Sequence, residues 1–187
     1  IYDLEEAIEP SRSDRPGFKP RLHYVSAESD QDLKKMKDLV LKCAESNRYR
    51  LSDIAVLCRT NDRVDAVKSY LQHADIPVCH FREDHFDVFE NDIKVITFHS
   101  AKGLEFPVVI LMNLEEGVIP RSLSHISHQD DLQGALRMER KLLYVCMTRA
   151  SEELCMIAKE GRGSRFLKDI PKEHIIIRSF LETKPEK

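Results

Sequence analysis

Short, nearly unbroken apolar runs separated by polar periodic stretches set the pattern of this chain. The runs "RLHYVSA" (21–27), "DIAVLCR" (53–59), "IPVCHF" (76–81), "DIKVITF" (92–98), "FPVVILMNL" (106–114) and "EELCMIA" (152–158) read as strands. They do not alternate apolar with polar. That is the signature of strands buried on both faces, as in a parallel sheet with helices outside. Between them, "SDQDLKKMKDLVLKCAE" (29–45) has helical periodicity, with Leu33, Met36, Val40 and Leu41 towards one face and Ser29 or Asp30 as cap. "NDRVDAVKSYLQHA" (61–74) predicts a second helix with Val64, Val67, Tyr70 and Leu71 inward. "DLQGALRMERKLLYVCMTRA" predicts a long helix over 131–150, and "SRFLKDI" (164–170) a short one. The tail "HIIIRSFLETKPEK" adds a strand before fraying. "REDHFDVFEN" (82–91) reads as a loop or a short helix. Three prolines make residues 1–20 an irregular lead-in. The expectation is one α/β domain over 21–180 with about five strands, a lead-in at 1–20 and a tail at 181–187.

Composition narrows the picture modestly. Hydrophobic residues make up 42% of the chain, enough for a substantial core. A net charge of -3 gives no bulk attraction to nucleic acid, so any such binding needs a local basic groove. The five cysteines are scattered without metal-ligand spacing, which predicts buried free thiols and a reducing, cytoplasmic setting. No apolar run has membrane-spanning length, and no membrane role is expected. No signal peptide is legible, and Ile1 in place of Met points to a fragment or a processed chain.

Polar residues interrupt the apolar pattern at four knots: "CRTN", "TFHSAKGLE", "NLEEGVIPR" and "MTRA". Ligands of open parallel sheets sit beyond the carboxyl ends of strands. Arg59 and Asn61 follow one strand. Their chemistry suits phosphate and base contacts, though an arginine there also suits a helix cap or an acid partner. Thr97, His99 and Lys102 bring a hydroxyl, an imidazole and an ammonium over one short turn that Gly103 permits. Such a set can grip a phosphate backbone, or be the incidental polarity of a surface loop. Glu105 would repel phosphate but suits a ribose hydroxyl. Arg149, near the end of an apolar helix face, suits the helix dipole or a γ-phosphate. His125 and His128 have no acid or thiol cluster, so no metal site is expected. Neither G-x-S-x-G nor G-x-x-x-x-G-K-[ST] occurs, so this chain does not cradle a triphosphate in the P-loop manner.

Taken together, these stretches resemble superfamily 1A helicases of the UvrD/Rep/PcrA type. "DIKVITFHSAKGLEFPVVILMNLEEGVIP" is similar to their motif V and its extension. "ALRMERKLLYVCMTRASEELCM" resembles motif VI, "DIAVLCRTNDRVDAVKSYL" the motif between IV and V, and "GSRFLKDIP" the close of the domain. The resemblance covers roughly residues 50–171, in family order. It implies the second motor domain, 2A: a RecA-like, three-layer P-loop NTPase fold with a mostly parallel sheet but without its own P-loop. It further implies that Arg149 contacts the ATP γ-phosphate and Glu105 the nucleotide sugar. Arg59, Asn61, Thr97, His99 and Lys102 would line the path of single-stranded DNA.

The departures carry expectations too. Domain 1A, which holds the P-loop lysine and the magnesium-binding acids, is not in this sequence, nor is the "NYRS"-like motif IV. ATP and Mg2+ would therefore be handled jointly with a 1A domain of the same parent, and this piece alone would be a monomer without ATPase activity. Only "REDHFDVFEND" stands where many relatives insert domain 2B. Strand separation is then less expected than ATP-driven translocation. A remodeller of a protein–nucleic acid complex, with RNA polymerase or repair proteins as partners, is the alternative. A non-enzymatic interaction module that kept the fold is a further one. The setting implied is bacterial and nucleoid-associated.

Overall fold

The apolar runs become strands of a single sheet in a computed structural model that describes residues 18–28, 30–80, 91–124 and 126–179. The strands are β1 (Arg21–Val25), β2 (Ile54–Cys58), β3 (Val78–His80), β4 (Ile93–Thr97), β5 (Phe106–Leu111), β6 (Ala150–Lys159) and β7 (Ile176–Arg178). Their spatial order is β3-β4-β2-β5-β6-β1-β7. Every neighbouring pair is parallel. Seven described strands form, one for each of the six apolar runs and one in the tail, so the expected count of about five was too low.

Period-two alternation explains why the inner strands are apolar throughout. Ile54, Val56 and Cys58 point into one core layer, where α1 (Gln31–Glu45) and α2 (Asn61–Gln72) pack. Ala55 and Leu57 point into the opposite layer, where α3 (Gln129–Met147) packs. In β5, Val108 and Ile110 serve the first layer and Val109 and Leu111 the second. The result is the expected three-layer sandwich, with a central sheet covered on both sides. No helix among the described residues is long and apolar enough to cross a membrane.

The helices largely follow their predicted periodicity, and the differences have simple causes. In α1, Leu33, Met36 and Val40 are buried, but Leu41 is 37% exposed. At about 100° per residue, Leu41 lies on the far side from a stripe that Leu39 and Cys43 complete. In α2, Val64, Val67 and Leu71 are buried and Tyr70 packs partly against them. The long helix ends at Met147, not at residue 150, because Ala150 already pairs with Phe106 as the first residue of β6. "SRFLKDI" forms a 3₁₀ turn (Arg165–Asp169) capped by the Ser164 hydroxyl, which accepts the Phe166 N–H at 3.3 Å. All five cysteines are buried as thiols. Burial pushes the Cys58 and Cys146 thiols up to about 12 and Cys43 up to about 11, which keeps them protonated. The lead-in through residue 17, most of "REDHFDVFEN" and the tail from 180 lie outside the described residues.

The contrast within α1 is testable. Met36→Ala should cost about 2–5 kcal/mol, since the side chain is fully enclosed. Leu41→Ala should stay within about 0.5 kcal/mol. Urea denaturation of both variants measures the difference, and equal losses would contradict the assigned core face.

Candidate functional site

Parallel strands put their carboxyl ends on one edge of the sheet, and the residues that follow β2 and β4 meet there. Arg59 leaves β2 immediately before α2 begins at Asn61. Thr97 closes β4, and its hydroxyl bonds to Ser100 Oγ at 2.9 Å and accepts the Ser100 N–H at 3.2 Å. Phe98, fully buried, donates its N–H to the Cys58 carbonyl at 2.8 Å, which ties the two strand ends together. Asn61, Thr97 and His99 share a cleft of about 550 Å3 with Thr60 and Arg121. A second hollow of about 340 Å3 shares Arg59, Thr60 and Arg121 and extends to Arg63 and Asn113.

Arg59 lines this cleft but is not free in it. Its side chain is only 4% exposed, and Nη2 donates to Glu139 Oε1 of α3 at 2.6 Å. Nη1 lies 3.3 Å from His99 Nδ1. A guanidinium can only donate. Nδ1 must therefore accept, and the proton of a neutral His99 sits on Nε2. Burial, then the Arg59 and Arg121 charges, hold the His99 pKa below its usual value against the opposing pull of Glu139. The second Glu139 oxygen accepts the Arg121 N–H at 3.1 Å. One carboxylate thus holds both Arg59 and the turn after Pro120. The Arg59 Nε–H is buried without a partner.

A neighbouring network fixes the frame of the cleft. Arg63 of α2 is ion-paired to Asp32 of α1 and donates from Nε to Asn113 Oδ1 at 2.7 Å. Asn113 Nδ2 in turn donates to Asp32 Oδ2 at 3.1 Å. Asn113 follows β5 in a left-handed conformation, φ 57°, which asparagine tolerates better than most residues. Two helices and the end of β5 are joined this way. In the "NLEEGVIPR" knot the acids serve the fold. Glu115 accepts the Lys159 N–H at 3.1 Å, and Glu116 accepts from Arg165 Nε at 2.7 Å.

Glu105 and Arg149 lie elsewhere. The connection from β4 to β5 runs from the carboxyl edge to the amino edge, held by the buried Phe98 and Ala101 and turning at Gly103, φ 83°. Lys102 is exposed on this connection, outside the cleft lining. Glu105, exposed, immediately precedes β5, and Arg149 immediately precedes the adjacent β6. The Arg149 carbonyl accepts the Phe106 N–H at 2.9 Å. Its guanidinium donates to the Val145 carbonyl (3.0 Å), the Leu104 carbonyl (3.0 Å) and Thr148 Oγ1 (3.2 Å). Three of its five N–H donors are used, leaving one on each terminal nitrogen.

The predicted residues therefore divide into two groups on opposite edges. Arg59, Asn61, Thr97 and His99 share the carboxyl edge, and Glu105 and Arg149 the amino edge. Three residues escaped sequence reasoning. Arg121 directly follows the "EGVIP" stretch and was the nearest to being legible. Glu139 and Arg63 carry no sequence signal, since only folding brings Arg59 to the one and Asn113 to the other. His128 precedes α3 at its N-cap position, and His125 lies outside the described residues. Among the described residues, no group of three or more His, Cys, Asp or Glu side chains could hold a metal ion.

An all-parallel sheet between two helical layers, with polar clusters at both edges, defines a RecA-like fold. Residues 81–161 match the model of the UvrD-like helicase C-terminal domain. DNA helicase II of Escherichia coli is 34% identical over 117 residues, covering 57% of this chain and 15% of that protein. ATP-dependent DNA helicase PcrA of Staphylococcus aureus is 40% identical over 92 residues, covering 44% of this chain and 12% of that protein. Among solved structures, the C-terminal domain of a possible DNA helicase from Lactobacillus plantarum aligns with a TM-score of 0.64 at 21% identity, covering 86% of each chain. The Escherichia coli DEAD-box protein SrmB aligns at 0.51 and 15% identity, covering 92% of this chain and 97% of that one. These likenesses show the fold. The match to the UvrD-like helicase C-terminal domain falls within this fold, and the chain spans about 15% of the length of DNA helicase II.

Removing Glu139 tests the carboxyl-edge network. Glu139→Ala leaves the enclosed Arg59 charge without its partner and should cost about 3–5 kcal/mol. Lys102→Ala, at an exposed position, should stay within about 0.5 kcal/mol. Chemical denaturation distinguishes the two. A Glu139→Ala variant as stable as the parent chain would mean that the pair is not held in solution.

Proposed function

We propose that this domain is the half of an ATP-driven DNA motor that senses the nucleotide from one edge of its sheet and grips single-stranded DNA with the other. The observation that carries this reading is the separation of the two clusters, joined by the single connection from Phe98 to Glu105. The cluster at the carboxyl edge has the donors a phosphate backbone needs: the Arg121 guanidinium, the His99 Nε2–H, the Thr97 hydroxyl and the Asn61 amide. Lys102 adds an exposed ammonium on the crossing connection. Arg59 acts through its neighbours in this reading. It fixes the His99 tautomer, while Glu139 holds it and the Arg121 turn together.

At the amino edge, the two remaining Arg149 donors fit a γ-phosphate oxygen. The exposed Glu105 carboxylate fits a ribose hydroxyl, for which it can only accept. ATP with Mg2+ would supply the phosphoryl chemistry, and a P-loop domain of the same parent would hold the metal. What this chain contributes is orientation and positive charge. The three carbonyl and hydroxyl oxygens around Arg149 hold the planar group, so that little freedom is lost when it meets an anion. The names of the relatives, DNA helicase II and ATP-dependent DNA helicase PcrA, support ATP and DNA as ligands.

Two measurements test this reading. In a full-length parent containing this domain, Arg149→Ala should lower ATP turnover by about 10³ with the fold intact. Glu105→Ala should raise KM more than it lowers kcat, because a sugar contact serves ground and transition states alike. Unchanged turnover in a folded Arg149→Ala protein would remove the nucleotide role. For the carboxyl edge, anisotropy titrations of the chain with labelled single-stranded DNA at several salt concentrations give the salt slope. Arg121→Ala and Lys102→Ala should each reduce it by about 1. An unchanged slope for both would place the strand elsewhere.

A further inference from the structure

Farther along the carboxyl edge, away from the cleft, α1 passes over the outer strands β1 and β7. The register pairs His23 of β1 with Arg178 of β7, so both side chains face α1. A cavity of about 140 Å3 lies between the helix and these strands, with His23 in its lining. This is far more than the ~10–15 Å3 that one water needs. Lys34, Lys35 and Asp38 bring three charges from the helix, and Arg178 brings a fourth from the edge strand. Three cations thus share the space with one carboxylate. Gln31, the first residue of α1, also lines it, so the positive end of a 15-residue helix is close by.

The second, independent observation is His23 itself. It is 7% exposed, and neither ring nitrogen has a hydrogen-bond partner. A buried polar atom left unsatisfied costs about 1–3 kcal/mol, so an imidazole without a protein partner beneath a cationic cavity favours a ligand that can bond to it. Burial, followed by the Lys35, Arg21, Arg178 and Lys42 charges, lowers the His23 pKa to about 4. The ring is therefore neutral near pH 7, with one nitrogen donating and the other accepting. Lys35 is likewise held below its usual range, first by burial and then by Lys42. Cations that crowd one another in this way gain from an anion between them.

We propose that this cavity is a binding site for a phosphate-type oxyanion, separate from both residue clusters used in the motor reading. Lys34, Lys35 and Arg178 neutralise the charge, and Gln31 offers an amide donor. His23 completes the set. A hydrogen phosphate both donates and accepts, so it can serve whichever imidazole nitrogen it meets, which chloride cannot. Ser179 already donates to Glu160 at 3.0 Å and borders the site without being needed for it. The same chemistry is offered by free phosphate or a phosphate monoester and by one phosphodiester of a nucleic-acid backbone.

The test is a 1H–15N correlation titration of the 187-residue chain with inorganic phosphate, at constant ionic strength maintained with chloride. Saturable shifts should centre on His23, Lys35 and Arg178. Arg178→Ala, on an exposed edge strand, and Lys35→Gln, on the half-buried flank of α1, should each weaken phosphate by about tenfold or more without lowering Tm. Repeating the titration with a saturating dT oligonucleotide separates the two sources. Displacement of phosphate, with a smaller DNA salt slope in both variants, identifies a backbone phosphate. Undisturbed phosphate identifies a free phosphate or monoester. The proposal is overturned if no saturable shift occurs, if chloride alone produces the same shifts, or if both folded variants bind phosphate as tightly as the parent chain.

Discussion

Parallel pairing obliges every connection in this chain to travel from the carboxyl edge of the sheet back to the amino edge before the next strand can begin. Three of these return journeys are made by helices, which cover the two faces and create the double-sided core. Another, from Thr97 to Phe106, has no helix. It crosses beneath β2 as a run of turns, anchored by Phe98 and Ala101 in the core. A connection this short cannot wander, so its polar residues are delivered to fixed places: His99 where it leaves and Glu105 where it arrives. The chemistry of both edges depends on this one constraint.

A single carboxylate then organises the carboxyl edge. Glu139 reaches from α3, a helix of the opposite layer, to hold Arg59 with one oxygen and the Arg121 backbone with the other. An arginine as enclosed as Arg59 needs such a partner, because an uncompensated buried charge is strongly destabilising. The consequence is a division of labour among cations. Arg59 turns its two terminal nitrogens to protein partners, and Arg121 keeps its guanidinium for the cleft. Arg149 lies between these extremes, with three donors engaged and two left over.

The edges beyond the motif residues follow a related logic. Where α1 begins, Asp32 closes a network with Arg63 and Asn113 on its inner side, while Gln31, Lys34 and Lys35 face the outer strands. The inner side is closed by mutual hydrogen bonds. The outer side leaves His23 unsatisfied among like charges. Opposite faces of one helix end thus differ in exactly the property that distinguishes a structural network from a ligand site: whether the polar groups already have partners.

Much of this was legible in the amino-acid order. Unbroken apolar runs at 54–58 and 106–111 imply strands with two buried faces, and the 3.6-residue period places Val64, Val67 and Leu71 inward. Hydroxyl, imidazole, amide and guanidinium groups at Asn61, Thr97, His99 and Arg149 stand at the punctuation between elements, where the backbone pattern alone marks them. Helix ends were less legible, since the pairing of Ala150 with Phe106 overrides the helical pattern that runs through it. The sequence by itself determined the alternation of elements, the layers they build and the chemical types at the polar knots, because periodicity and side-chain chemistry are local properties. Only the tertiary structure decided that the knots fall on two opposite edges, that Glu139 takes Arg59 out of the solvent, and that His23 lies orphaned beside Arg178. Those facts depend on strand order and register, which bring residues 80 or more positions apart into contact and leave no trace in the spacing of either.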